Sequence, residues 1–264
     1  MASFTNFATL SYNGGTTNSN IVTGEILEAL TAVKTAVSAN YSAGDRITYA
    51  LSLVNTGTAA ITDYTVTDNL GGYTVGANTV YPLAYNTGTV RYYINGVLQA
   101  APTVTAGPPL TVTGLTVPAG GSAVLIYETT ATPVAPLATG SSITNTATIT
   151  GGGLTTPITA QATVETATSA ELSISKALSP TTVTENGQIT YTFVISNTGN
   201  TEATATGNVV VTDTFAPILR NIAVTYNGTA WTEGTNYTSN AATGVFTTLA
   251  GQITVPAATF TQNT

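Results

Sequence analysis

Cysteine and histidine are both missing from the 264 residues. Their absence excludes disulfides, thiol nucleophiles, imidazole bases and the usual zinc ligands. Charge is scarce as well: charged residues make up 6% of the chain, five basic against twelve acidic, for a net charge of −7. Five basic side chains are too few to neutralise a phosphate backbone, so nucleic acid is not an expected partner. No stretch is apolar enough to span a bilayer, and no membrane insertion is expected. The opening Met1 to Phe7 has neither a basic leader nor an apolar run, so no signal peptide is visible. A glycan-cleaving enzyme would need paired catalytic carboxylates, and several of the twelve acids fall in turns. No cofactor and no turnover enzyme is expected.

What is present reads as β-structure. Short β-branched runs end at Gly, Pro and Asn turns at the spacing of a sandwich. Arg46 to Val54 alternates and stops at Asn55-Thr56-Gly57, and Asn95-Gly96 between Tyr92-Tyr93-Ile94 and Val97-Leu98 predicts a two-residue hairpin. Leu, Ala and Glu cluster between Ile26 and Val37. That segment reads as strand from about Leu30, with a helix as the alternative over Gly24 to Leu30. The fold class expected is all-β, as tandem immunoglobulin-like antiparallel sandwiches.

The chain repeats itself. Ile47 to Gly57 matches Ile189 to Gly199, Tyr64 to Asp68 matches Val209 to Asp213, and Leu30 to Lys34 matches Leu172 to Lys176. A third match joins Phe4 to Leu10 with Ile143 to Ile149, each followed by paired glycines, Gly14-Gly15 and Gly151-Gly152. The chain is thus expected to open on a closing strand with no domain in front of it. Three segments are expected: a donor-like strand over 1–24, a first domain over 25–168, and a second over 169–264 that lacks its closing strands.

The run of Lys, Gly-x-x-Ile-Thr-Tyr, Asn-Thr-Gly, Val-Thr-Asp and Ile-Thr-Asn-x-Ala-x-Ile resembles the conserved repeat of bacterial surface proteins called domain of unknown function eleven. Gly44 holds the glycine position in the first copy and Gly187, shifted, in the second. The resemblance covers Leu30 to the end plus the first dozen residues. It implies Ig-like domains in cell-surface stalks, adhesins or appendages, often with the intramolecular isopeptide bonds of Gram-positive pilins. An extracellular or cell-surface location follows from it, although no cell-wall sorting signal or C-terminal anchor is visible.

Both lysines of the chain, Lys34 and Lys176, fall at one repeat position. Strand parity places Lys34 with Leu30 and Ala32, and Lys176 with Leu172 and Ile174, so both are expected to face a core. Asp68 is in phase with Tyr64 and Val66, and Asp213 with Val209 and Val211. Asn145 shares its face with Ile143, Ala147 and Ile149, and Asn6 with Phe4, Ala8 and Leu10. Burial favours a neutral lysine amine and a protonated aspartic acid. Such an amine can attack an asparagine carboxamide, release ammonia and leave an amide crosslink. The plainer reading is a buried Lys–Asp ion pair with the asparagine satisfying nearby backbone.

The expected crosslinks are Lys34 to Asn145 with Asp68 as the acid, within the first domain, and Lys176 to Asn6 of a neighbour with Asp213. The assembly expected is a head-to-tail homopolymer built by N-terminal strand donation, as in a filament, pilus or stalk. The rival is a cell-surface adhesin or carbohydrate-binding module using Tyr81, Tyr85, Tyr92 and Tyr93. Asp63 is a weaker acid candidate because its counterpart is Asn208. Asp45, Asp63 and Asp68 lack the dense alternation of a calcium loop, and Trp231 reads as packing.

Overall fold

The computed structural model describes residues 2–26 and 29–260. These residues divide into two compact units, with the boundary between Thr166 and Ala167. The described secondary structure is β throughout, apart from one 3-10 turn at Ala205–Gly207.

The chain opens with four short strands, β1 (Ala2–Asn6), β2 (Thr9–Tyr12), β3 (Gly15–Asn18) and β4 (Val22–Ile26). β1 pairs antiparallel with β4, and β2 with β3, around a turn at Asn13 and Gly14. Both turn residues have positive φ, which Asn and Gly adopt at least cost. Between the two pairs, Ser19 N–H donates to the Ala8 carbonyl at 2.8 Å, and Ala8 N–H donates to Ser19 Oγ at 2.9 Å. The lone strand expected at Phe4 to Leu10 is therefore the first arm of a hairpin, and β4 runs across residue 24. Residues 24–26 are strand and Leu30 opens the next strand, so the described residues of that stretch hold no helix; Leu27 and Glu28 lie outside the described residues.

The first unit continues with β5 (Leu30–Ala36), β6 (Asn40–Tyr41), β7 (Arg46–Asn55), β8 (Ile61–Asp68), β9 (Tyr73–Val75), β10 (Asn78–Val80) and β11 (Leu83–Tyr85). Then come β12 (Arg91–Ile94), β13 (Val97–Leu98), β14 (Thr103–Thr105), β15 (Leu110–Val117), β16 (Ser122–Ala131), β17 (Ser142–Gly151) and β18 (Ile158–Thr166). One sheet has the order β13-β12-β16-β7-β5, with β11 also pairing β16; the facing sheet runs β14-β15-β8-β17-β18-β6. The hairpin at Asn95-Gly96 forms as the sequence predicts. Alternation on β7 and β16 sends Ile47, Tyr49, Leu51, Leu53, Leu125 and Tyr127 into one buried core with Tyr64, Leu115 and Ile149 of the facing sheet. Burying each such side chain contributes about 1.5–3 kcal/mol.

The second unit has β19 (Leu172–Ser179), β20 (Thr190–Asn197), β21 (Thr212–Thr214), β22 (Val224–Tyr226), β23 (Thr229–Trp231), β24 (Tyr237–Ser239) and β25 (Val245–Thr248). They form three separate sheets, β19-β20, β21-β25-β24 and β22-β23. The repeat makes β19 the counterpart of β5, β20 of β7 and β21 of the end of β8. β7 is flanked by β5 and β16, whereas among the described residues β20 pairs only with β19. The consequence is read in burial. Tyr49, Leu51 and Leu53 are inaccessible, while Tyr191, Phe193 and Ile195 are half-buried, and Leu172, Ile174 and Leu178 are exposed.

Candidate functional site

Three strands bring the first site together. Lys34 points inward from β5, and β5 lies against β18 of the facing sheet. Asp68 ends β8 and pairs with Ala147 on β17, which puts Asn145, two residues along β17, diagonally beside it on the same face. Lys34 Nζ meets Asp68 Oδ2 at 2.5 Å, with side-chain exposures of 0% and 1%. Lys34, Asp68 and Asn145 face inward as strand parity predicts, and all three are buried.

Two tyrosines complete the site. Tyr127 on β16 donates its hydroxyl to Asp68 Oδ2, the same oxygen that Lys34 approaches. The Lys34 ammonium lies 4.8 Å from the Tyr49 ring centroid and 5.8 Å from that of Tyr127. The other carboxylate oxygen, Oδ1, accepts the Leu70 N–H at 2.9 Å. Leu70 holds a left-handed backbone, φ 52°, a conformation a branched residue adopts only when its surroundings enforce it. That turn directs its N–H back onto Asp68. Nothing in the sequence marks either tyrosine as part of the site. Tyr49 recurs as Tyr191, but Tyr127 sits on a strand with no counterpart in the described second unit.

Burial strips water from the Lys34 ammonium and lowers its pKa to about 8, against the opposing pull of the Asp68 charge and hydrogen bond. At neutral pH roughly a tenth of the amine is then neutral. Tyr127 is pushed well above its ordinary value, by burial first and by the Asp68 charge second. Asn145 is fully buried against the Tyr49 and Tyr127 hydroxyls, yet no hydrogen bond of good geometry reaches its Oδ1, its Nδ2 or the Tyr49 hydroxyl. Leaving a buried amide unpaired costs about 1–3 kcal/mol for each group. Of the plainer reading, the buried Lys34–Asp68 ion pair is present, whereas Asn145 bonds to no backbone group.

The second site repeats half of the first. Lys176 Nζ meets Asp213 Oδ2 at 2.5 Å, and the ammonium lies 4.5 Å from the Tyr191 ring centroid and 5.5 Å from those of Phe193 and Phe215. Lys176 does not face a closed core: its side chain is 40% exposed, and that of Asp213 16%. The physical reason is the missing neighbour. Asp68 sits between β15 and β17, while among the described residues β21, which carries Asp213, pairs only with β25. Asn6 is exposed on β1, opposite Val22.

The remaining sequence candidates have structural roles. Asp63 is exposed with φ 57°, and its counterpart Asn208 has φ 52°. Asp and Asn alternate there because both tolerate the left-handed region. Tyr92 is buried and its hydroxyl donates to the Thr116 carbonyl, while Tyr81, Tyr85 and Tyr93 are half-buried. Trp231 packs on Tyr226 with ring centroids 5.0 Å apart.

No family model matches the sequence, and no curated protein matches it. Solved structures do match. The major pilin subunit BcpA of Bacillus cereus is 16% identical with a TM-score of 0.39, over 95% of this chain and 64% of its own. The pilus backbone protein RrgB of Streptococcus pneumoniae is 16% identical with a TM-score of 0.37, over 46% of this chain and 31% of its own. A family 123 glycoside hydrolase from Clostridium perfringens is 10% identical with a TM-score of 0.33, over 52% of this chain and 27% of its own. The chain spans about a third of the length of RrgB.

Proposed function

We propose that this chain is a structural subunit of an extracellular bacterial filament, pilus or stalk, stiffened by amide crosslinks that it makes itself. The observation that carries this reading is the buried Lys34–Asp68 pair beside a fully buried Asn145 carboxamide that bonds to no backbone group. Lys34 passes a proton to Asp68, and the neutral amine attacks the Asn145 side-chain carbon. A new C–N bond forms, the protonated Asp68 returns its proton to the departing nitrogen, and the carboxamide C–N bond breaks. Ammonia leaves and takes up the remaining proton. The Tyr127 hydroxyl holds the carboxylate in place through the exchange. The reaction runs once per site and uses no cofactor.

Between subunits, the N-terminal segment of one copy completes the second domain of the next, and Lys176 bonds to Asn6 with Asp213 as the acid. Donor and acceptor surfaces differ, so the contact is head-to-tail and propagates. What supports this reading is the recurrence of the Lys–Asp pair at 2.5 Å in both units and the recurrence of the asparagine motif at Asn6 and Asn145.

Proteolytic mapping tests the first bond. The segment holding Lys34 should emerge covalently joined to the segment holding Asn145. Recovery of the two as separate, unmodified peptides would overturn it.

A further inference from the structure

In the first unit, β17 and β18 form a hairpin in which Ile143 faces Val164 and Asn145 faces Ala162. In the N-terminal hairpin Phe4 faces Gly24 and Asn6 faces Val22. Under the repeat match, Phe4 stands where Ile143 does and Asn6 where Asn145 does. The likeness therefore extends to both arms: β4 bears the same relation to β1 that β18 bears to β17. Ile143, Asn145, Ile149, Ala162 and Val164 are all buried in the first core. Their N-terminal equivalents lie open, with Phe4 54%, Leu10 66% and Val22 55% exposed. The Phe4 ring lies across Gly24, where an added Cβ would come within 2.4 Å of it. The hairpin thus presents an apolar face that none of its own strands covers.

The acceptor edge is β21. Its counterpart, the end of β8, pairs on one side with β15 and on the other with β17, in the register Thr67 opposite Thr148 and Asp68 opposite Ala147. β21 keeps the first neighbour as β25 and has none on the second side among the described residues.

We propose that the whole N-terminal hairpin, rather than a single strand, docks on the free edge of β21 in a second copy of this chain, with Thr9 opposite Thr212, and that docking starts the Lys176 crosslink. This rests on the function proposed above and adds its partner surface, its register and its control. In the undocked subunit the Lys176 side chain is 40% exposed to water. The docked hairpin brings Asn6 to the pair and, through Phe4, Leu10 and Val22, shuts water out. The bond then forms only in assembled subunits, so a free chain does not spend its lysine.

The absence of cysteine makes disulfide trapping clean. Full-length Thr9→Cys and Thr212→Cys chains, mixed under mild oxidation, should give a disulfide-linked heterodimer. Thr5→Cys in place of Thr9→Cys, four residues out of register, should give at least tenfold less. The same pair in a Lys176→Ala background should still trap, separating docking from bond formation. In wild-type chains, Lys176 should be acetylated by a water-soluble acylating reagent in dilute monomer and protected in assembled material. Equal trapping in both registers, or none, would overturn the docked geometry. A chain carrying both Thr9→Cys and Thr212→Cys should stay reduced at high dilution. An intramolecular disulfide between its two introduced thiols would place the hairpin on its own chain and overturn the second copy. Lys176 protected in the dilute monomer would overturn the control. None of these readouts uses Lys34 or Asn145, so the hairpin proposal and the first crosslink stand or fall separately.

Discussion

Lys34 Nζ and Asp68 Oδ2 lie 2.5 Å apart on facing sheets of the first unit, with neither side chain in contact with solvent. Such a pair loses the hydration of two ions, and removing one partner strands the other. The geometry ranks three proteins. Wild type is the most stable. Asn145→Ala keeps the ion pair and loses the crosslink, which closes a loop of about 110 residues and contributes about 4–5 kcal/mol by chain entropy. Asp68→Ala loses the crosslink and also leaves a buried lysine without its counter-ion, at a further cost of about 3–5 kcal/mol. Urea unfolding of the three should show that order; equal midpoints for Asn145→Ala and wild type would argue against a crosslink.

The uncrosslinked Asn145→Ala variant leaves Lys34 free to titrate. Its pKa is lowered to about 8 in the folded protein, against 10.5 as the ordinary value, with burial as the main cause. Between those values the unfolded chain binds more protons, so stability rises with pH across that window. The full penalty, roughly 3 kcal/mol, is present below pH 8. Tyr49, Tyr64 and Tyr127 are pushed up by burial, so above pH 10 the unfolded chain binds fewer protons and the trend reverses. Melting curves should improve from pH 7.5 to 9.5 in Asn145→Ala and stay level in the Lys34→Met, Asn145→Ala double variant. Parallel behaviour of the two would remove Lys34 as the titrating group.

Strand parity made the inward aim of Lys34, Asp68 and Asn145 legible, because a period of two fixes the face once the strand is recognised. The sandwich and the Asn95-Gly96 hairpin were legible for similar local reasons. Tyr127 was not, since an aromatic residue in a strand reads as ordinary core and only the fold shows its hydroxyl on Asp68. The second arm of the N-terminal hairpin was hidden too. Val22 to Ile26 shares little with Ile158 to Thr166 residue by residue, and the Leu, Ala and Glu that follow it favour a helix as readily as a strand. Parity also placed Lys176 facing inward without revealing that the opposite layer is incomplete; its exposure depends on strands that parity does not count.

The Tyr127 hydroxyl is a positioning group for Asp68. Tyr127→Phe keeps the ring stacked on Tyr49 at 5.8 Å but removes a hydrogen bond to a charged oxygen. Stability before crosslinking should fall by about 1.5–3 kcal/mol. Ammonia loss, followed by mass as the chain refolds from denaturant, should slow by an order of magnitude or more. Loss at the wild-type rate, with only stability changed, would limit the hydroxyl to packing.

Intact mass under denaturing conditions tests the Lys34–Asn145 bond most directly. Purified wild-type chain that has not assembled should weigh one ammonia less than its sequence, and Lys34→Ala, Asp68→Ala and Asn145→Ala should each return to the full sequence mass. A wild-type mass equal to that of the sequence, with both lysines open to acylation after unfolding, would contradict the crosslink.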